Sequence, residues 1–281
     1  MFYYLRITKR HKMEYKFNKI LIGFDNSEAS VIALDKALET CKTFNAILHV
    51  VNVKDRKKTD NNFKINILER AAEFGVAINY LEKYGNVSRE IHTTEREIGA
   101  DLIFMGAHGL NGFQPYWIGS NAMRVVSAST CPVITVQADS AQHNFKSIVL
   151  PLDNSMETRQ KVPYAVVFAQ TFGAIIHILA LSKDKTDNTR QRLSIYAKQT
   201  KEYLDKYGIA YTYDLQQGKS IAQSCIDHAV EKKAGLIMMM TETESDSWFM
   251  GTVAQQLINH SPIPVLSIHS RDLLLTGEAG Y

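Results

Sequence analysis

Cysteine, proline and tryptophan are scarce in this 281-residue chain, at three, six and two residues. The cysteines, Cys41, Cys131 and Cys225, are odd in number and widely spaced, with no Cys-x-x-Cys pair. That pattern argues against a disulfide framework or a cysteine zinc site and fits a reducing compartment, here expected to be the cytoplasm. No apolar run approaches the roughly 20 residues that cross a bilayer, so no membrane partner is expected. The net charge is only +3, too small to argue for nucleic acid. No segment is of low complexity. The opening residues place their basic side chains after a very short apolar patch, the reverse of a signal peptide.

What remains is a soluble globular composition, 45% hydrophobic and 22% charged, long enough for two domains. The chain repeats itself. Ile20-Leu-Ile-Gly-Phe-Asp25-Asn26-Ser27 returns as Ile148-Val-Leu-Pro-Leu-Asp153-Asn154-Ser155, and Ala46-Ile-Leu-His49-Val50 returns as Ala174-Ile-Ile-His177-Ile178, both at an offset of 128. Leu102-Ile-Phe-Met105 returns as Leu236-Ile-Met-Met239, and Cys131-Pro-Val-Ile-Thr-Val136 as Ile263-Pro-Val-Leu-Ser-Ile268, at offsets that drift to 134 and 132. Units of this size are domains, not solenoid repeats. The expected division is an extension at 1–16, a first domain at 17–138, a second at 145–270 and a tail at 271–281.

Within repeat 1, strands are expected at 19–24, 46–53, 76–81, 102–105 and 133–136. Helices follow from Ser27, from about Phe63, from a cap at Ser88 and from Ser120. Repeat 2 follows the same order, with strands at 147–150, 175–181, 210–215, 235–239 and 265–268. Its helices are expected near 156–171, 189–207, 220–233 and 251–259. Alternating strands and helices imply an α/β fold, two tandem domains each with a five-stranded parallel sheet covered by helices on both faces. The fifth strands are short and apolar and are expected to pair with each other as an internal pseudo-dimer. Further homo-oligomerisation through other surfaces stays open.

Gly106-Ala-His-Gly109 follows the fourth strand, and Gly119-Ser120 opens the next helix. Glycines at a strand mouth let backbone approach a bulky anion, and a helix start adds free N–H groups and the positive end of its dipole. The two together form a phosphate cradle, though not a Walker A loop, since no Gly-Lys-Ser/Thr follows. Asp25 ends the first strand and supplies a carboxylate for ribose hydroxyls or an amine. Ligands of open parallel sheets lie at strand carboxyl ends where the strand order reverses. A glycine turn that only serves packing, and an Asx-turn role for Asp25, are the structural alternatives. His49 and His177 read as satisfied core histidines, and Met238-Met-Met240 as core filler.

Taken together, Asp-x-Ser, Leu-His-Val and Gly-x2-Gly-x9-Gly-Ser resemble the universal stress protein family, over roughly 17–136 and again 145–268. That resemblance implies strand order 3-2-1-4-5 and an ATP-binding regulatory protein. It assigns Asp25 to the adenosine end and the Val50 backbone to adenine. It assigns Met105, Gly106, Gly109, Gly119, Ser120 and Asn121 to ribose and phosphates, with Mg²⁺ or Mn²⁺ on the phosphates. Gly23 departs from the family's proline, which repeat 2 keeps as Pro151. Asn121 departs from a β-branched apolar residue. Repeat 2 replaces Gly106 and Gly109 by Met240 and Thr243 and adds Glu242, Glu244 and Asp246, so it is expected not to bind ATP. No catalytic set or metal-ligand cluster is evident. An interaction protein that does not depend on nucleotide, with an unidentified protein partner, stays open, as does a weak ATPase.

Overall fold

The computed structural model describes residues 16–54, 64–107, 121–218, 220–241 and 252–270. Repeat 1 runs β1 (Lys19–Gly23), α1 (Glu28–Phe44), β2 (Ile47–Lys54), α2 (Lys64–Phe74), β3 (Ile78–Tyr84), α3 (Val87–Ile98), β4 (Leu102–Gly106), α4 (Asn121–Ala128) and β5 (Val133–Val136). Repeat 2 runs β6 (Ser147–Leu152), α5 (Val162–Phe172), β7 (Ile175–Ser182), α6 (Asp187–Lys206), β8 (Tyr211–Gln217), α7 (Ile221–Glu231), β9 (Leu236–Met240), α8 (Thr252–His260) and β10 (Val265–Ile268). The strands join in one ten-stranded sheet, ordered β3-β2-β1-β4-β5-β10-β9-β6-β7-β8. Each half therefore has the order 3-2-1-4-5.

Period-two alternation sorts each strand between two cores. Ile20, Ile22, Leu48, Val50 and Phe104 join one apolar cluster with the inner face of α1. Leu21, Val51, Ile103 and Met105 join the other, with Ile91 of α3 and Val125 of α4. The first cluster runs unbroken into repeat 2 through the rings of Phe17, Phe44, Phe145, Phe168 and Phe172. Most of these contacts are edge-on, as Phe17 against Phe44 at 5.2 Å and Phe145 against Phe172 at 5.4 Å, while Phe168 and Phe172 stack at 5.6 Å. Because 17 and 145, and 44 and 172, are counterparts at the offset of 128, the cluster carries the same pseudo-twofold relation as the sequence. Each such aromatic pair contributes about 0.5–1.5 kcal/mol beyond area burial.

The fifth strands meet as the repeat suggests. β10 pairs antiparallel with β5, Val265 opposite Thr135 and Leu266 opposite Ile134, while the other strand pairs are parallel. Two sheet edges that would otherwise be open are thereby closed against each other. Reciprocal contacts flank the seam. Gln137 Nε2 donates to the Ile258 carbonyl at 2.9 Å, and His269 Nε2 donates to the Val126 carbonyl. Residues 137 and 269, like 126 and 258, are counterparts, so each repeat binds a carbonyl in the last turns of the other's final helix.

Two helix starts differ from the sequence reading. α3 is capped by Asn86, whose side chain accepts from Arg89 N at 3.1 Å, and Ser88 only supports that cap. α5 begins at Val162 and not near Met156; residues Glu157–Arg159 form a 3₁₀ turn ahead of it. Pro163 explains part of this. It lacks an N–H and is tolerated in the first turn of a helix but not in its interior.

Candidate functional site

The end of β1 is shaped by Asp25, Asn26 and Ser27. Asn26 takes a left-handed conformation, φ 61°, which asparagine tolerates better than most residues. Asp25 Oδ1 then accepts from Ser27 N at 3.0 Å and from Ser27 Oγ at 2.6 Å, an Asx-turn. Ser27 caps α1, its hydroxyl accepting from Ser30 N at 3.3 Å. The strand end is held from β2, where Asn52 Nδ2 donates to the Phe24 carbonyl at 2.8 Å. So a short polar chain fixes the exposed Asp25 carboxylate relative to the first turn of α1.

Beside it lies an open cleft of about 220 Å³ at the carboxyl ends of β1 and β4. β1 contributes Gly23, Phe24 and Asp25, and β2 contributes Val51 and Val53. Met105 and Gly106 come from β4, Ser30 from α1, Val87 from α3, and Asn121 and Ala122 from α4. One wall is apolar, from Val51, Val53, Val87 and Met105. Three polar side chains converge on the cleft: the Asp25 carboxylate, the Ser30 hydroxyl and the carboxamide of Asn121, the first residue of α4. This is the point where strand order reverses, the usual ligand position in a doubly wound sheet. An apolar slot with a few convergent polar groups suits a flat ring carrying a hydroxylated or anionic tail.

Of the expected site residues, Asp25, Met105, Gly106 and Asn121 meet in this cleft. The expectation for Val50 concerns its backbone, and its side chain does not line the cleft. That side chain is fully buried in the core on the opposite face, with Ile22 and Phe104. Val51, its neighbour, faces the cleft, as strand alternation requires. Gly109, Gly119 and Ser120 lie outside the described residues, as do His108, Trp117 and Trp248. Ser30, Val51, Val53 and Val87 were missed by motif reading. The register of β1 on β2 pairs Gly23 with Val51 and so contains the signal for the valines.

Gly106 has a further, structural reason to be glycine. A Cβ there would lie 2.6 Å from Ser30 N and 2.9 Å from the Ala29 carbonyl carbon. Those are backbone atoms of the first turn of α1 and cannot step aside. Gly23 differs, because a Cβ would meet Met105 Sδ at 2.8 Å, the flexible end of a side chain.

A buried carboxylate on α3 ties it to the turn that follows α4. Glu95 is 2% exposed and accepts from Thr130 N at 2.6 Å, Thr130 Oγ1 at 2.8 Å and Cys131 N at 3.1 Å. Burial raises its carboxyl pKa, but the hydrogen bonds from His92, Thr130 and Cys131 together outweigh it and hold it below the ordinary range. It anchors the turn into β5. In repeat 2, His177 reads as expected, a satisfied core histidine with Thr212 Oγ1 at 2.8 Å and Ser147 Oγ at 3.1 Å. Met238, Met239 and Met240 are buried core residues. Among the described residues, no three His, Cys, Asp or Glu side chains come together as a metal-binding group.

The universal stress protein family model matches residues 16–137 and again 144–269. The chain belongs to the universal stress protein family. It carries two tandem copies of that family's domain. Among curated relatives, universal stress protein YxiE of Bacillus subtilis is 29% identical over 147 residues, 43% of this chain and 99% of YxiE. MJ0531 of Methanocaldococcus jannaschii is 27% identical over 154 residues, 48% of this chain and 91% of that protein. Both align with about one repeat. In fold, a universal stress protein crystal structure from Archaeoglobus fulgidus matches with TM-score 0.73 at 18% identity, covering 91% of this chain and all of that one. Among the described residues, no helix is long and apolar enough to cross a membrane.

Proposed function

We propose that this universal stress protein is a cytoplasmic regulatory protein that binds one ATP per chain, in repeat 1. The observation that supports this most is the cleft itself: Asp25 and Gly106, read from the motifs, and Asn121, which the family resemblance assigns, line one cleft at the switch point. The apolar wall of Val51, Val53 and Val87 takes the adenine. Asp25 accepts hydrogen bonds from ribose hydroxyls. The phosphates run toward Gly109, Gly119 and Ser120, where backbone N–H groups and the N-terminus of α4 receive them. Mg²⁺ or Mn²⁺ joins through the phosphates and offsets their charge. Repeat 2, with Met240 for Gly106 and Thr243 for Gly109, does not bind ATP.

A second reading draws on a specific observation. Gly106 is required by the packing of α1 whether or not a ligand is present. On that reading the protein is an interaction module and the cleft is incidental. Gentle purification followed by mass analysis of the released small molecule separates the two. The nucleotide reading expects an adenine nucleotide at about one per chain. The interaction reading expects none, and no ATP uptake on titration.

A further inference from the structure

Repeat 2 closes over the place where repeat 1 has its cleft. At the repeat offsets, Asp153 stands for Asp25, Thr158 for Ser30 and Met240 for Gly106. Gly106 is partly exposed whereas Met240 in its place is 7% exposed, and Asp153 is half-buried where Asp25 is exposed; Thr158 and Ser30 are alike buried, at 1% and 2%. The cause is local. A side chain at the Gly106 position collides with the first turn of α1. Met240 carries such a side chain, and in repeat 2 that first turn is absent. The chain takes a 3₁₀ turn at Glu157–Arg159 and enters α5 at Val162, with Pro163 in the first turn.

This rearrangement brings Lys161 inside. Its counterpart in repeat 1 is Ala33, an apolar residue of α1. Lys161 is 2% exposed. Its Nζ donates to the Thr158 carbonyl at 2.5 Å and to Thr158 Oγ1 at 3.1 Å. The same hydroxyl accepts from Asp153 N at 3.0 Å, the backbone at the end of β6. An ammonium is kept in an interior only where partners compensate its lost hydration. Here both acceptors belong to Thr158, the counterpart of Ser30, which lines the cleft of repeat 1.

We propose that Lys161 is the internal occupant of repeat 2: an ammonium built into the chain that engages Thr158 beside the end of β6 and so holds this half closed to nucleotide. The proposal rests on the nucleotide reading of repeat 1 for the meaning of the site, and on the Lys161 contacts for its occupancy. Burial pushes the Lys161 ammonium down to about 8, with Asp153 and Cys225 acting in the opposite direction. Removing the side chain leaves a polar end shaped for a primary ammonium. The chemical class that this vacated site would take is therefore a small alkylammonium ion.

The test uses the full chain with its lysines labelled at the ε-carbon, and Lys161→Met to assign the resonance. The expected result is one lysine titrating near pH 8, absent from the Lys161→Met spectrum. A complementary measurement follows thermal unfolding of Lys161→Ala, which is expected to lose stability and regain part of it in propylammonium chloride but not in sodium chloride of equal ionic strength. Failure of the nucleotide reading shows separately, as no ATP binding by the same preparation. Should Lys161→Ala fail to fold, the titration of the unaltered protein decides alone. Titration of Lys161 in the ordinary lysine range, about 10.4, or recovery no better in propylammonium than in sodium chloride, overturns the proposal.

Discussion

Asp25 has two duties that a single substitution can separate. Its Oδ1 holds the turn to Ser27, while its charge faces the cleft. Asparagine keeps an acceptor for the turn and removes the charge. Asp25→Asn is therefore expected to unfold at nearly the same temperature but to bind ATP about tenfold or more weakly, since hydrogen bonds to charged groups contribute about 1.5–3 kcal/mol. Unchanged affinity on titration would show that the carboxylate serves only the turn. Gly106→Ala makes the opposite case. Its Cβ meets the backbone of Ala29 and Ser30, so overpacking should cost about 1–3 kcal/mol of stability by urea denaturation. A variant as stable as the parent would mean that α1 is not seated on β4 as described. The motifs point to Asp25 and Gly106 and the family resemblance adds Met105 and Asn121; the four line one cleft. The Val50 assignment concerns its backbone; the side chain of β2 that reaches the cleft there is that of its neighbour Val51, because a strand alternates. The motif names the strand; which face each side chain takes comes from the register of Gly23 opposite Val51.

At the scale of elements, the central strands were readable as short apolar runs, and the half-buried edge strands β3 and β8 as mixed apolar and polar segments in the repeated order. The helix starts were not equally readable. Repeat 2 preserves Asp-Asn-Ser at 153–155, and from that signal alone its helix should begin as α1 does. Pro163, tolerated only in a first turn, accounts for part of the shift; the rest follows Met240, about eighty residues away, which stands where Gly106 leaves space for α1. A dependence of that range does not show in local propensity. The cap of α1 can be tested directly. Ser27→Ala removes the acceptor for Ser30 N and the donor to Asp25. It is expected to cost about 1 kcal/mol in chemical denaturation and to weaken ATP binding by releasing Asp25. Lost stability with intact affinity would separate the cap from the site.

For the molecule as a whole, the β5–β10 seam makes one sheet of two domains, and acid should reveal its stability limits. His177 and His228 pack edge to face in repeat 2, ring centroids 6.4 Å apart. Burial, the largest effect on each, lowers both imidazoles below the ordinary histidine range. Lys232 acts the same way on both, and Asp214 opposes it; His228 further lowers His177, and Glu231 raises His228. The folded chain thus keeps both neutral where the unfolded chain takes up protons, from about pH 6.5 downward. With more protons bound by the unfolded state, stability is full above that pH and falls as pH drops below it. The urea midpoint should be lower at about pH 5.5 than at about pH 7.5. A His177→Gln, His228→Gln double variant should lose part of that difference. The same acid sensitivity in the double variant would place its origin elsewhere.

The central claim is an asymmetry: two copies of one domain, of which only the first receives nucleotide. Calorimetric titration of the full chain with ATP in the presence of Mg²⁺ tests it most directly. The account predicts a single site per chain, abolished by Gly109→Val, whose branched Cβ fills the space where backbone meets phosphate. Two equivalent sites per chain, or no heat of binding at all, would contradict it.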